Sequence, residues 1–91
     1  MATRSDARHE PVVLVSALRE ELAPLLRRLR VEQRLRVDAW SVVRGRLGDV
    51  PVALTWSGEG EENAREAMMM IYRHQPRSPL IAVGVAGALT P

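Results

Sequence analysis

The chain contains no cysteine, which excludes disulfides, thiolate nucleophiles and cysteine-based zinc sites. It contains no phenylalanine, and aromatic residues are only 3% of the total, so the core has to be built from valine, leucine, alanine and methionine. It also lacks lysine: all 13 basic side chains are arginine, opposed by 11 acids for a formal net charge of +2. No run approaches the ~18 apolar residues of a membrane span. Met1–Glu10, MATRSDARHE, has no apolar segment of the kind a secretory signal needs. These absences point to a cytoplasmic protein with no membrane partner. Nucleic acid is not expected either. Arg27, Arg28, Arg30, Arg34 and Arg36 are close in sequence, but Glu32 interrupts them and Asp38 flanks them, and aromatics for base stacking are scarce. The cluster reads as a solvated helix face and its exit.

What is present organises itself around Leu80–Pro91, LIAVGVAGALTP. Leu80–Val83 has the length and apolarity of a strand buried on both faces, and small residues follow at once. In open α/β sheets ligands bind just past the carboxyl ends of the strands, so this loop reads as a site wall. The chain ends soon after it, and the expectation is a fragment or incomplete gene model of a larger α/β domain. Met1–Glu10 is polar and aperiodic and is expected to be a disordered tail, leaving 11–91 as the structured portion.

Pro11–Ser16 reads as a buried strand. A helix is expected over Ala17–Arg30, with Leu18, Leu22, Leu25 and Leu29 on one stripe. Pro24 disturbs it: either regular helix starts only near Glu20–Leu22, or the helix kinks. Val31–Val37 reads as a charged connector, and Ala39–Trp56 as a hairpin turning at Gly48-Asp49. A second helix is expected over Gly60–His74, burying Ala64, Ala67, Met68 and Ile71, with Met69 and Met70 partly exposed. Leu80–Val85 is the last strand. The order β-α-β-β-α-β argues for an α/β layer fold.

Several chemistries fail on spacing. Gly58-Glu59-Gly60 is half of a dinucleotide fingerprint, but Asn63 stands where the third glycine belongs, and Glu59, Glu61 and Glu62 would repel a pyrophosphate. Glu20 and Glu21 are adjacent, so they diverge on a helix and cannot form a paired-carboxylate site. His9 and His74 have no metal-ligand spacing, and no metal or cofactor is expected. One convergence remains. Glu21, the Ser57–Gly60 turn and the Gly84–Ala88 loop each follow a strand at the same end of the expected sheet. One acid and two glycine-bearing loops around one crevice describe a small-ligand site.

The segments SALREEL (16–22), GRLGDVPVALTWSGEGEENA (45–64) and GVAGALTP (84–91), in that order, resemble the first third to half of the nucleoside phosphorylase and nucleosidase superfamily. The methylthioadenosine/S-adenosylhomocysteine nucleosidase branch is the most similar. The resemblance implies a phosphorylase/hydrolase-like three-layer α/β/α sandwich, truncated to its N-terminal half. It implies cleavage of the N-glycosidic bond of a purine nucleoside or thionucleoside, with water or phosphate as co-substrate, by an enzyme that is a homo-oligomer at full length. Glu21 matches the acid that helps activate the attacking water. Ser57, Gly58 and Gly60 match the turn bordering the site, and Val85, Ala86 and Gly87 the loop lining the base and ribose pocket.

The sequence departs from the branch at four places. Val85 stands where nucleosidases often carry serine, Glu59 takes a usually apolar position at the pocket edge, Leu18 replaces methionine, and Ala88 replaces the loop's second glycine. The acid that protonates the purine comes from later in these chains, so turnover by 91 residues alone is not expected. Hydrolysis is favoured over phosphorolysis, because Glu21 is present and no glycine-rich anion cradle follows the first strand. A reading of another class is a non-catalytic interaction module docking through Met69, Met70 and the open sheet edge.

Overall fold

The computed structural model describes residues 10–84. The expected tail, apart from Glu10, and the loop residues Val85, Ala86 and Gly87 lie outside the described residues. The elements are β1 (Val12–Ser16), a 3-10 turn (Arg19–Leu22), α1 (Ala23–Arg28), β2 (Arg30–Val37), β3 (Trp40–Leu47), β4 (Val50–Trp56), α2 (Glu61–His74) and β5 (Leu80–Ala82). The sheet order is β2-β3-β4-β1-β5. β1 lies parallel to β4 on one side and β5 on the other. β2, β3 and β4 form an antiparallel meander.

β1 is a near-continuous apolar run because it is covered on both faces. Successive strand residues point to opposite sides of a sheet. Leu14 therefore joins one cluster with Leu22, Leu29, Val43, Val52 and Leu54. Val13 and Val15 join the other with Ala53, Met70 and Ile71. The 3-10 turn and α1 cover the first face and α2 the second, which gives the three-layer α/β/α arrangement.

Five expectations are corrected. The helix expected over Ala17–Arg30 is a 3-10 turn followed by six residues of α-helix, with Leu18 exposed. Pro24 falls in the first turn of α1, where its missing N–H would have had no intrahelical partner, so it starts the helix rather than kinking it. The expected connector Val31–Val37 is strand β2, paired along its length with β3. Its alternation was hidden by a register shift between Val31 and Gln33. Arg34 and Arg36 accordingly lie on a strand, not on a helix face or its exit.

On α2 the buried residues are Ala67, Met70 and Ile71, while Ala64, Met68 and Met69 are exposed. The apolar residues were adjacent to one another, and a packing phase about one residue later selects Met70 instead of Met68. Finally, β5 is shorter than expected. Leu80, Ile81 and Ala82 are exposed because β5 is an edge strand with only β1 beside it among the described residues. Val83 extends the pairing by one more bond, donating its N–H to the Val15 carbonyl at 2.8 Å.

Thr55 shows how the second face accommodates a polar group. It is 2% exposed, and its hydroxyl donates to the Ser41 carbonyl at 2.8 Å. Thr55→Val keeps the shape and removes the bond. It is expected to cost about 0.5–1.5 kcal/mol, read as a lower urea midpoint with an unchanged slope.

Candidate active site

The carboxyl ends of β4, β1 and β5 lie side by side, and the chain leaves each strand differently. After β1 the backbone passes through Ala17 and Leu18 into the 3-10 turn. Ser16 is buried, and its hydroxyl donates to the Leu18 carbonyl at 2.6 Å, turning the chain tightly at the end of the strand. Glu21 then folds back: its Oε1 accepts the Leu18 N–H at 3.0 Å. This contact fixes the side chain in a half-buried position, whereas Glu20 is exposed. The adjacent carboxylates thus differ in burial, and Glu21 is the one tied back to the end of β1.

After β4 the chain runs alongside the exit of β1. The Ser57 N–H donates to the Ser16 carbonyl at 2.9 Å, and the Gly58 N–H to the Ala17 carbonyl at 2.8 Å. The turn then needs glycine, because Gly58 and Gly60 have φ of 89° and 105°, where L side chains are strained. Asn63, from the first turn of α2, closes it by donating Nδ2–H to the Glu59 carbonyl at 2.8 Å. Glu59 itself is exposed.

After β5 the chain reaches Gly84. A Cβ built there would lie 3.8 Å from Glu21 Oε2, the oxygen opposite the one that accepts the Leu18 N–H. Thus the Glu21 carboxylate lies close to Gly84 beyond the end of β1, and Ser57-Gly58 borders the same strand end through hydrogen bonds to Ser16 and Ala17. Five of the sequence-derived positions can be compared in this way with the structure. Glu21, Ser57, Gly58 and Gly60 lie at the carboxyl rim of the parallel strands, and Gly84 leads into the loop that carries Val85, Ala86 and Gly87, outside the described residues. Trp56, half-buried at the end of β4 with the Arg19 guanidinium 5.7 Å from its ring centroid, is a further rim residue. Its apolarity at the end of an expected strand signals core or rim packing, and the structure places it at the rim.

Chemically, the rim offers one carboxylate whose second oxygen has no hydrogen-bond partner among the described residues and lies beside Gly84. Such a group can accept a proton from water or hold a hydroxyl-bearing ligand. Among the described residues no three His, Cys, Asp or Glu side chains gather as a metal site.

A mixed sheet between helices, with the carboxyl ends of its parallel strands β4, β1 and β5 side by side, defines an α/β protein, and in open α/β sheets ligands bind beyond those strand ends. Residues 11–91 match the phosphorylase superfamily, and the chain belongs to that family. Solved structures agree with it. A 5′-methylthioadenosine/S-adenosylhomocysteine nucleosidase from Neisseria meningitidis, in complex with methylthio-immucillin-A, is 25% identical with a TM-score of 0.71; the match covers 82% of this chain and 32% of that one. The MTA/SAH nucleosidase of Streptococcus pneumoniae, in complex with 8-aminoadenine, is 25% identical with a TM-score of 0.71, covering 79% of this chain and 32% of that one. Futalosine hydrolase of Helicobacter pylori is similar in fold, at 16% identity and a TM-score of 0.72, covering 84% of this chain and 33% of that one. The chain thus spans about a third of the length of the structures it matches. No curated protein sequence matches it. No helix among the described residues is long and apolar enough to cross a membrane.

Proposed function

We propose that residues 11–91 form the N-terminal portion of an enzyme that hydrolyses the N-glycosidic bond of a purine nucleoside or thionucleoside. The observation that carries the reading is the Glu21 carboxylate, held by the Leu18 N–H and close to Gly84 beyond the end of β1. Glu21 acts as the general base for the attacking water. Ser57, Gly58 and Gly60 border the nucleoside, and Val85, Ala86 and Gly87 line its base and ribose. Family membership and the likeness to nucleosidases bound to nucleoside analogues support this assignment. Water is preferred to phosphate as co-substrate because the exit from β1 carries a carboxylate, which would repel a phosphate dianion.

A base alone does not complete the reaction. Protonation of the leaving purine contributes about 10²–10⁴-fold, and no described side chain at this rim is placed to supply it. The test is adenine release from methylthioadenosine and adenosine, followed in two proteins. The 91-residue chain is expected to release none above the uncatalysed rate. The same chain extended by its downstream reading frame is expected to release adenine at a rate independent of phosphate. Rapid turnover by the short chain would overturn the division of labour. Strict phosphate dependence in the extended chain would make it a phosphorylase, and failure of both nucleosides to react there would overturn the reading.

A further inference from the structure

Arginines that are scattered in sequence meet along the first face of the sheet. Arg34 and Arg36 lie opposite Val43 and Ser41 on β3. Val43 belongs to the cluster under the 3-10 turn and α1, so Arg34 and Arg36 share that face. There they border a groove of about 460 Å³ with Arg19, Ser41 and Trp56. Arg19 and Arg34 are common to an adjoining groove of about 290 Å³ that reaches Arg27 and Leu26 on α1. No carboxylate lines either groove.

The ion pairs among the described residues join Arg46 to Glu32, and Arg73 and His74 to Asp38. Arg19, Arg27, Arg34 and Arg36 are not in them. Three arginines line each groove, Arg19 and Arg34 being common to both. Like charges gathered in this way raise the local potential, and an anion bound there relieves their mutual repulsion. Their planar donor forks suit oxyanions. Arg36 already donates to the Ala39 carbonyl at 3.2 Å, and Arg19 is positioned over Trp56, so two of the four are held in place before any ligand arrives.

We infer that this groove binds a small ligand through a phosphate or carboxylate group. Its size suits a small molecule, whose pockets run to roughly 300–1,000 Å³. Single-stranded nucleic acid would need successive aromatic platforms, and the one tryptophan here already has Arg19 over it. The inference does not depend on the nucleosidase reading: it concerns the face of the sheet, not the Glu21 rim.

The test uses the 91-residue chain with inorganic pyrophosphate and citrate as separate probes. Calorimetry measures affinity, and arginine Nε–Hε resonances report location. Either probe is expected to bind and to shift the resonances of Arg19 and Arg34, with affinity falling as salt is raised. Preference for one probe identifies phosphate or carboxylate as the recognised group. Arg34→Gln is expected to weaken binding about tenfold, the loss of one charge-assisted contact. Arg36→Gln provides a second variant, and a circular dichroism spectrum checks the fold of each. Arg77→Gln, outside both grooves, is expected to leave binding unchanged. Absence of binding, or an equal loss in Arg77→Gln, would overturn the inference. Binding of an oligoglutamate peptide far more tightly than either probe would also overturn it, and would assign the groove to an acidic protein segment.

Discussion

Gly45→Val is expected to remove a large share of the folding stability. Gly45 is buried in β3 opposite Val31. A Cβ added there would overlap the Arg30 carbonyl oxygen, lie 2.9 Å from its carbon and reach 3.1 Å from Leu29 Cγ. The first two atoms are backbone, fixed by the junction of α1 and β2, so no rotamer change relieves the clash. Relief requires β2 to peel away from β3 at its start, and Leu29 to leave the first core cluster with it. Overpacking in ordinary cores costs about 1–3 kcal/mol. A clash with backbone belongs at or above the upper end of that range. A chain of this length has a stability of roughly 0.05–0.15 kcal/mol per residue, so about 3 kcal/mol is a large fraction of the whole. Urea unfolding followed by circular dichroism checks it. Gly45→Ala should show a smaller loss than Gly45→Val. A midpoint unchanged in both variants would mean that β2 does not begin at Arg30 beside β3.

That strand is also where the sequence was hardest to read. β1, β4 and α2 were legible because each carries a periodic apolar signal matched to what covers it: two buried faces for β1 and β4, one stripe for α2. β2 carries Leu35 and Val37 on one side and Arg34 and Arg36 on the other, but the shift between Val31 and Gln33 breaks the period. Five of its eight residues are charged or amide-bearing because it is an edge strand with much of its surface toward solvent. Only pairing with β3 reveals it. Pro24 was legible as a disturbance, and a late start of regular helix was one of its two readings. The start falls at Ala23 rather than near Glu20–Leu22 because the preceding turn is 3-10. Leu80–Val83 looked like a strand buried on both faces, yet Leu80, Ile81 and Ala82 are exposed and only Val83 packs against the core. An apolar run reports what a segment can bury, not what lies against it.

The rim was more legible than the fold around it. Ser57–Gly60 and Glu21 were singled out because each follows a strand, and parallel pairing of β1 with β4 and β5 is enough to bring those exits together. The hydrogen bond from Leu18 to Glu21 was not legible. It depends on the 3-10 turn, which brings residue 21 back over residue 18. The arginine groove was illegible for the same reason as β2, since Arg34 and Arg36 reach Arg19 only across a strand the sequence conceals.

Glu21→Gln, in the chain extended by its downstream reading frame, is expected to lower kcat for adenine release by about 10²–10⁴-fold, the contribution of a positioned general base. On the proposed reading the side chain has two separable roles. Oε1 accepts the Leu18 N–H and so shapes the turn, while Oε2, beside Gly84, would meet the substrate water. Glutamine retains an acceptor for Leu18 and nearly the same shape, so the urea midpoint should move little. It cannot take a proton from water. Glu21→Ala removes both functions and should lose the same activity together with about 0.5–1.5 kcal/mol of stability from the unmade hydrogen bond. If Glu21→Gln kept full activity while Glu21→Ala lost stability, the carboxylate would serve only to close the 3-10 turn, and the water would have to be activated by another group. If Glu21→Gln lost activity at an unchanged midpoint, shape would be excluded as the cause, because the turn is intact and only the negative charge is gone. A loss confined to kcat, with KM unchanged, would place that charge in the transition state rather than in substrate binding.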